Sequence, residues 1–245
     1  MKAHHYARVL RGFREEEEPD LVVVRHLVLP GTTAVDLGAN VGLYTKVLSE
    51  LVGHTGVVLS VEPVPQTCAI LTSNVRTLRL GNVSILNVAV SNTEGTLTME
   101  VPEYSSGGGN FYRSRVIGDD RLALSPHGMR VAARTLDSIV EGVPGVSFVK
   151  CDVEGHERAC LLGAASLLRT HRPAWLIEVA GPPQGNASAA ADLLRLLGTE
   201  FYSAWLFDGR HLRRMNSSDT SVNYFFLNDQ HLARLRLTAR HLFDA

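Results

Sequence analysis

The chain has 245 residues, 45% hydrophobic and 20% charged, with 24 Lys+Arg against 25 Asp+Glu for a formal net charge of -1. A chain of this length buries most of its surface around one core, so it needs neither disulfides nor a metal to fold, and its balanced charge supplies no global field for nucleic acid. The three cysteines, Cys68, Cys151 and Cys160, have no metal-ligand spacing and read as reduced thiols of a cytoplasmic protein. The acidic run Glu15-Glu16-Glu17-Glu18 stands where a secretory signal would be apolar, and no stretch is apolar for the roughly 18 residues a membrane span needs.

In chain order, an N-terminal cap segment over residues 1–27 leads into a single domain that fills residues 1–245. Short apolar, often β-branched runs at 33–37, 57–61, 83–88, 146–151 and 174–179 alternate mostly with segments of helical spacing. That is the rhythm of a parallel sheet with helices on both faces. The first helix is predicted over 41–51, closed by Gly53, and the second over 65–80, closed by Gly81. Residues 96–101 alternate after Asn92 and Gly95 and read as a strand of a small hairpin outside the main series. Residues 102–130, with Ser105-Ser106-Gly107-Gly108-Gly109-Asn110 beside Phe111 and Tyr112, read as a loop able to close over a ligand as a lid. Thr135 caps a short helix at 136–140. Further helices are expected at 157–170 and 186–197, then strands 202–207 and 222–227 paired around the turn at Asp208-Gly209. The only basic cluster, residues 234–241, carries leucines at helical spacing and reads as an edge helix that packs on the domain or on a second subunit, leaving a homodimer open.

The first motif is Val35-Asp36-Leu37-Gly38-Ala39-Asn40-Val41-Gly42, where a strand gives way to a helix. Gly38 lets the backbone turn tightly and approach a ligand. The segment lacks the first glycine pair of G-x-G-x-x-G and so does not fit a dinucleotide pyrophosphate. Asp36 at the strand end suits a ligand bearing an ammonium group. Glu62, twenty residues after Gly42, ends the second strand where such folds hold ribose hydroxyls, and Pro63 stops the strand there. Asn87 ends the third strand, where it reaches either an adenine edge or its own backbone.

The third motif is Lys150-Cys151-Asp152-Val153-Glu154-Gly155-His156-Glu157 after the fourth strand. It sets three carboxylates and an imidazole at the end of a parallel sheet, the end that binds ligands. Glu157 serves equally as a first-turn helix stabiliser. Glu178 ends the fifth strand on the same rim.

Together with Leu43-Tyr44-Thr45, Val61-Glu62-Pro63, Leu162-Gly163-Ala164 and the run from Arg172-Pro173 to Ile177-Glu178, these motifs resemble the FkbM-type S-adenosylmethionine-dependent methyltransferases, in the expected order from about Val28 to Glu178. Tyr224-Phe225-Phe226 adds a looser echo. The resemblance implies a class I, Rossmann-like α/β fold with a mostly parallel seven-stranded sheet, helices on both faces and an antiparallel edge hairpin. It also implies cofactor contacts at Gly38, Asn40, Gly42 and Glu62, to which the same segments add Asp36, Ala39, Pro63, Asn87 and Asp152. Members with known substrates mostly methylate hydroxyl groups on sugars, macrolides, peptides and other natural products. His156 stands where a small residue is common in the family.

Transfer to a hydroxyl needs the acceptor held in line with the methyl and a base for its proton. The acidic rim offers Asp152, Glu154 and Glu178, and His156 has an ordinary pKa near neutrality; Asp152, Glu154 and His156 are the leading candidates. If a divalent cation assists instead, Asp152 and Glu178 are its ligands. A methyltransferase acting on a small hydroxylated acceptor therefore leads, without nucleic acid or membrane as partner. An NAD(P)-dependent oxidoreductase, which shares the glycine turn and the ribose acid, stands behind it, and a catalytically silent adenosine binder behind that.

Overall fold

The computed structural model describes residues 10–13, 17–102, 114–117, 128–179, 189–216, 219 and 221–243. Helix α1 (Leu21–Leu27) precedes strand β1 (Thr33–Leu37), all five residues of which are buried. The glycine turn follows, then α2 (Leu43–Val52), β2 (Val57–Val61), α3 (Pro65–Leu78) and β3 (Val83–Leu86). After β4 (Ala89–Val90), β5 (Gly95–Glu100), β6 (Arg115–Ile117) and β7 (Gly128–Arg134), the chain forms α4 (Leu136–Ile139) and re-enters the main sheet as β8 (Val146–Cys151). The remaining elements are α5 (Glu157–Leu162), α6 (Ala165–Thr170), β9 (Ala174–Glu178), α7 (Ala189–Thr199), β10 (Ser203–Phe207), β11 (Leu212–Arg214), β12 (Asn223–Leu227) and α8 (Asp229–Thr238).

The main sheet has eight strands in the order β11-β10-β12-β9-β8-β1-β2-β3. From β3 to β9 all pairings are parallel, while β12, β10 and β11 add to the other edge antiparallel. The expected seven-stranded sheet is therefore corrected to a mixed sheet of eight. The difference is β11: the turn at Asp208-Gly209, braced by Asp208 Oδ1 accepting from the Arg210 and His211 amides, leads β10 into β11, and β12 pairs on the other side of β10. Three residues are too few to show an alternation.

A second sheet, in the order β4-β7-β5-β6, stands apart from the first. The strand read at 83–88 is shorter, since β3 stops at Leu86, and Ala89-Val90 just beyond it pair with β7 in the second sheet. The hairpin strand expected at 96–101 is β5, paired with both β6 and β7. Residues 115–117 and 128–130, expected to be irregular loop, are strand. Residues 103–113 and 118–127, including the Ser-Gly tract and Phe111-Tyr112, lie outside the described residues, and with them most of the lid.

Side-chain alternation assigns the two faces. Val35 and Leu37 of β1, Val149 of β8 and Trp175 and Ile177 of β9 pack with Leu136, Leu161, Leu167 and Leu193 on one face. Ala34, Phe148, Leu176 and Phe225 pack with Val24, Leu27, Leu48 and Leu235 on the other. Asp36, Lys150 and Glu178 fall on this second face by the same alternation, at the carboxyl ends of three adjacent strands.

Helix boundaries follow local chemistry. Thr135 caps α4 by accepting from the Ser138 amide, as expected. The single helix expected at 157–170 is two, because Gly163 sits against the Ser91 carbonyl, where a Cβ would overlap the oxygen. Asp137 then caps α6 through the Ser166 and Leu167 amides. Helix α8 starts at Asn228, whose side chain accepts from the Gln230 and His231 amides, and Arg234 donates to the Leu27 carbonyl at 2.9 Å, so this helix packs on α1 of the same chain.

Candidate active site

The glycine turn is built by position. Gly38, Asn40 and Gly42 all have positive φ (75°, 49° and 98°). A Cβ on Gly38 would overlap the Asp152 carbonyl, so only glycine lets the β1 turn lie against the end of β8. The Asp152 amide completes the contact by donating to the Leu37 carbonyl at 3.1 Å. Gly42 is the N-cap of α2, and a Cβ there would lie 2.8 Å from Leu71 Cδ1.

Glu62 is 6% exposed and fixed at both oxygens: Oε2 accepts from the Asn40 amide and Oε1 from the Val64 amide, each at 2.9 Å. Burial pushes its carboxyl up to about 7, against the pull of those two amides. Asp36, 2% exposed, accepts from the Thr45 hydroxyl at 2.6 Å, and burial raises it to about 6.

Two clefts open at the carboxyl edge of the sheet. The first is lined by Asn40, Glu62 and Pro63, by the apolar Val88, Val90 and Met99, and by Asp152, Glu154 and His156. Part of that lining, Met99 with Ser114 and Val116, comes from the second sheet and its approach. The second cleft, of about 630 Å³, is lined by Glu18, Asp36, Ala39, Tyr44, Lys150 and Asp152. Gly38, Asn40 and Asp152 border both.

Asp152, Glu154 and His156 are held by a tight turn in which Glu154 and Gly155 both have positive φ (51° and 95°). Glu157 is buried, accepts from the Gly155 amide at 2.8 Å and so clasps this turn; burial raises its carboxyl. Glu154 is exposed at the rim. His156 Nε2 lies 3.0 Å from Ser91 Oγ, tying the turn to the strand exit of the second sheet, and burial lowers the imidazole below its ordinary value. Glu178 hydrogen-bonds with Asp152; burial first, then the Asp152 charge, pushes it up to about 7. Among the described residues no group of three or more His, Cys, Asp or Glu is arranged to hold a metal ion.

The structure thus brings Asp36, Gly38, Ala39, Asn40, Glu62, Pro63, Asp152, Glu154 and His156 to the two clefts. Two residues expected at the cofactor line neither cleft. Gly42 caps a helix, and Asn87, exposed, spends its amide on the Glu62 and Pro63 carbonyls at 2.8 and 3.0 Å, so it shapes the Glu62 turn from behind. Sequence reasoning did not place Glu18, Tyr44, Met99, Ser114 and Lys150 among the residues lining the clefts. Of these only Lys150 carries a local signal, as a lysine inside a strand otherwise apolar enough to be buried on both faces.

A model of the methyltransferase FkbM domain matches residues 36–207. Among solved structures, a methyltransferase FkbM from Methylobacillus flagellatus KT aligns with a TM-score of 0.51 at 17% identity, over 80% of this chain and 43% of that one. This chain therefore spans less than half the length of that protein. A protein assigned as an rRNA-methylase from Clostridium thermocellum aligns with a TM-score of 0.50 at 11% identity, over 87% of this chain and 94% of that one. At these identities the likeness is one of fold. No curated protein matches the chain in sequence.

Proposed function

Because the chain belongs to the FkbM methyltransferase family, we propose that it transfers the methyl group of S-adenosylmethionine to a hydroxyl oxygen of a small metabolite such as a sugar, polyketide or peptide natural product. When bound, the cofactor supplies an electrophilic methyl on a sulfonium. The residues of the first cleft suit its adenosine end. Glu62 is a buried carboxylate with two backbone amides already fixing its direction, and its remaining lone pairs can accept from the two ribose hydroxyls. Val88, Val90 and Met99 offer the apolar wall that a purine ring needs.

The observation that carries the reading is the position of Asp152. Its backbone abuts Gly38, and it lines both clefts, the first of them together with Glu62. A hydroxyl approaching beside Asp152 meets a carboxylate able to accept its proton, while Glu154 at the rim orients the incoming molecule. His156, neutral at pH 7 by virtue of its burial, is the other candidate base, with Nε2 already engaged by Ser91. The family assignment replaces the oxidoreductase reading. A small acceptor, rather than nucleic acid or a membrane surface, fits the balanced charge, and among the described residues no helix is long and apolar enough to cross a membrane. Incubation of the purified protein with methyl-labelled S-adenosylmethionine and metabolite extracts of its source tests the reading. Label in an ether-linked methyl of a small molecule supports it, and label only in RNA, protein or amine products overturns it.

A further inference from the structure

Lys150 is 4% exposed, yet it lines the second cleft. Its Nζ lies 3.3 Å from Asp152 Oδ2 and 5.2 Å from the centroid of the Tyr44 ring. The other charged groups of that cleft are Glu18, which accepts from the Tyr44 hydroxyl at 3.2 Å, Asp36 and Asp152. Among the described residues, Lys150 is the only lysine or arginine lining either cleft. Burying an ammonium is costly; its ion-pair partner Asp152 is a third exposed, and Asp36, Asp20 and Glu178 add carboxylate charge around it, which favours the cation at the cleft wall.

The same cleft receives the start of α2, with Leu43 and Tyr44 in its wall. That ten-residue helix has Gly42 as its N-cap and no side-chain cap on its first-turn amides. A buried cation and an uncapped helix N-terminus both favour a carboxylate, while Asp36, Asp152 and Glu18 favour an ammonium. A cleft with both kinds of group suits a zwitterion. It adjoins the Glu62 cleft at Gly38, Asn40 and Asp152, so one molecule with an adenosine at one end and an amino acid at the other can span the two.

We infer that Lys150 binds the α-carboxylate of the cofactor's amino-acid end, with the second cleft as the subsite for that end. The inference rests on the reading of S-adenosylmethionine as methyl donor, and its test separates the two. Calorimetry with S-adenosylhomocysteine and with 5′-methylthioadenosine, which lacks the amino acid, is run on the wild type, Lys150→Met and Lys150→Arg. In Lys150→Met, S-adenosylhomocysteine should weaken by about 10- to 100-fold, the range for a lost charge-assisted bond, with 5′-methylthioadenosine unchanged. Lys150→Arg should recover most of the loss. The unchanged nucleoside affinity doubles as the folding control.

Equal affinities of wild type and Lys150→Met for S-adenosylhomocysteine overturn the inference. Should Lys150→Met not fold, the wild type alone decides: it should prefer S-adenosylmethionine to decarboxylated S-adenosylmethionine by at least about 10-fold, and equal binding of the two overturns the inference. A wild type that binds neither S-adenosylhomocysteine nor 5′-methylthioadenosine instead overturns the cofactor reading itself.

Discussion

The Asn40 amide donates to Glu62 Oε2 at 2.9 Å, so the glycine turn after β1 and the carboxylate after β2 form one unit. Neither can move without the other. The turn's approach to a ligand and the direction of the acid are therefore set together, before any ligand arrives.

If Glu62 holds the ribose as proposed, that unit should make cofactor binding pH-dependent. Burial raises Glu62 from 4.5 to about 7, so its contribution to stability is complete below the unfolded value and is lost as pH rises through 7. A diol donating to the carboxylate favours the ionised form, the opposite preference. Binding of S-adenosylhomocysteine should release a proton and weaken on acidification below 7, by up to about tenfold per pH unit. Calorimetry between pH 6 and 8, in two buffers of different ionisation enthalpy, measures both effects. Glu62→Gln should bind weakly with a flat profile; a flat profile in the wild type would refute the assignment of Glu62 to the ribose.

Gly38→Ala places a methyl against the Asp152 carbonyl at a residue whose φ is 75°. Left-handed backbone costs an alanine about 1–2 kcal/mol, and the clash adds the cost of pushing β1 and β8 apart at their ends. Urea unfolding should show a loss above roughly 2 kcal/mol, the backbone cost plus overpacking, and S-adenosylhomocysteine binding should fall with it. A variant with wild-type stability would mean that the turn can relax away from Asp152.

Gly163→Ala tests the join between the sheets. Its φ is −80°, so the backbone tolerates alanine, and the whole effect must come from the Ser91 carbonyl in the way. Overpacking of this kind costs about 1–3 kcal/mol. The loss should appear in urea unfolding, and His156, whose ring meets the Ser91 hydroxyl, should move with the displaced segment. An unchanged His156 imidazole signal by NMR in a destabilised Gly163→Ala protein would show that the two contacts are independent.

These contacts also explain what is and is not legible in the sequence. β1, β2, β8 and β9 are legible because strands covered on both faces are continuous apolar runs, and Asp36, Gly38, Glu62 and Asp152 stand out at their ends. β6 and β11, three residues each, are made by pairing rather than by pattern. The break in the helix read at 157–170 comes from Ser91, seventy-two positions before Gly163, which no local window contains. Asn87 escapes sequence reasoning for the same reason, since a strand-end amide serves a ligand or a neighbouring turn equally well on paper, and only the fold puts the Glu62 and Pro63 carbonyls within its reach.

The last prediction concerns the proton. Asp152 borders both clefts, Glu154 is exposed, and His156 lines the first cleft alone with its ring held by Ser91, so the three residues of one turn differ in what they can do. If Asp152 takes the acceptor's proton, Asp152→Asn should lower kcat at saturating cofactor by about 10²- to 10⁴-fold, a loss separate from any weakening of S-adenosylhomocysteine that follows from its place beside Lys150. Glu154→Gln should raise KM more than it lowers kcat, since an exposed rim carboxylate contributes to binding the acceptor. His156→Ala should leave kcat within about tenfold unless the imidazole is the base, in which case the loss reaches the range expected for Asp152→Asn. Steady-state kinetics of the three variants with one labelled acceptor, beside calorimetry of cofactor binding, assigns the roles. Near-normal turnover in all three would remove this turn from the chemistry, and activity abolished by a chelator and restored by Mg²⁺ would transfer the work to a cation held by Asp152 and Glu178.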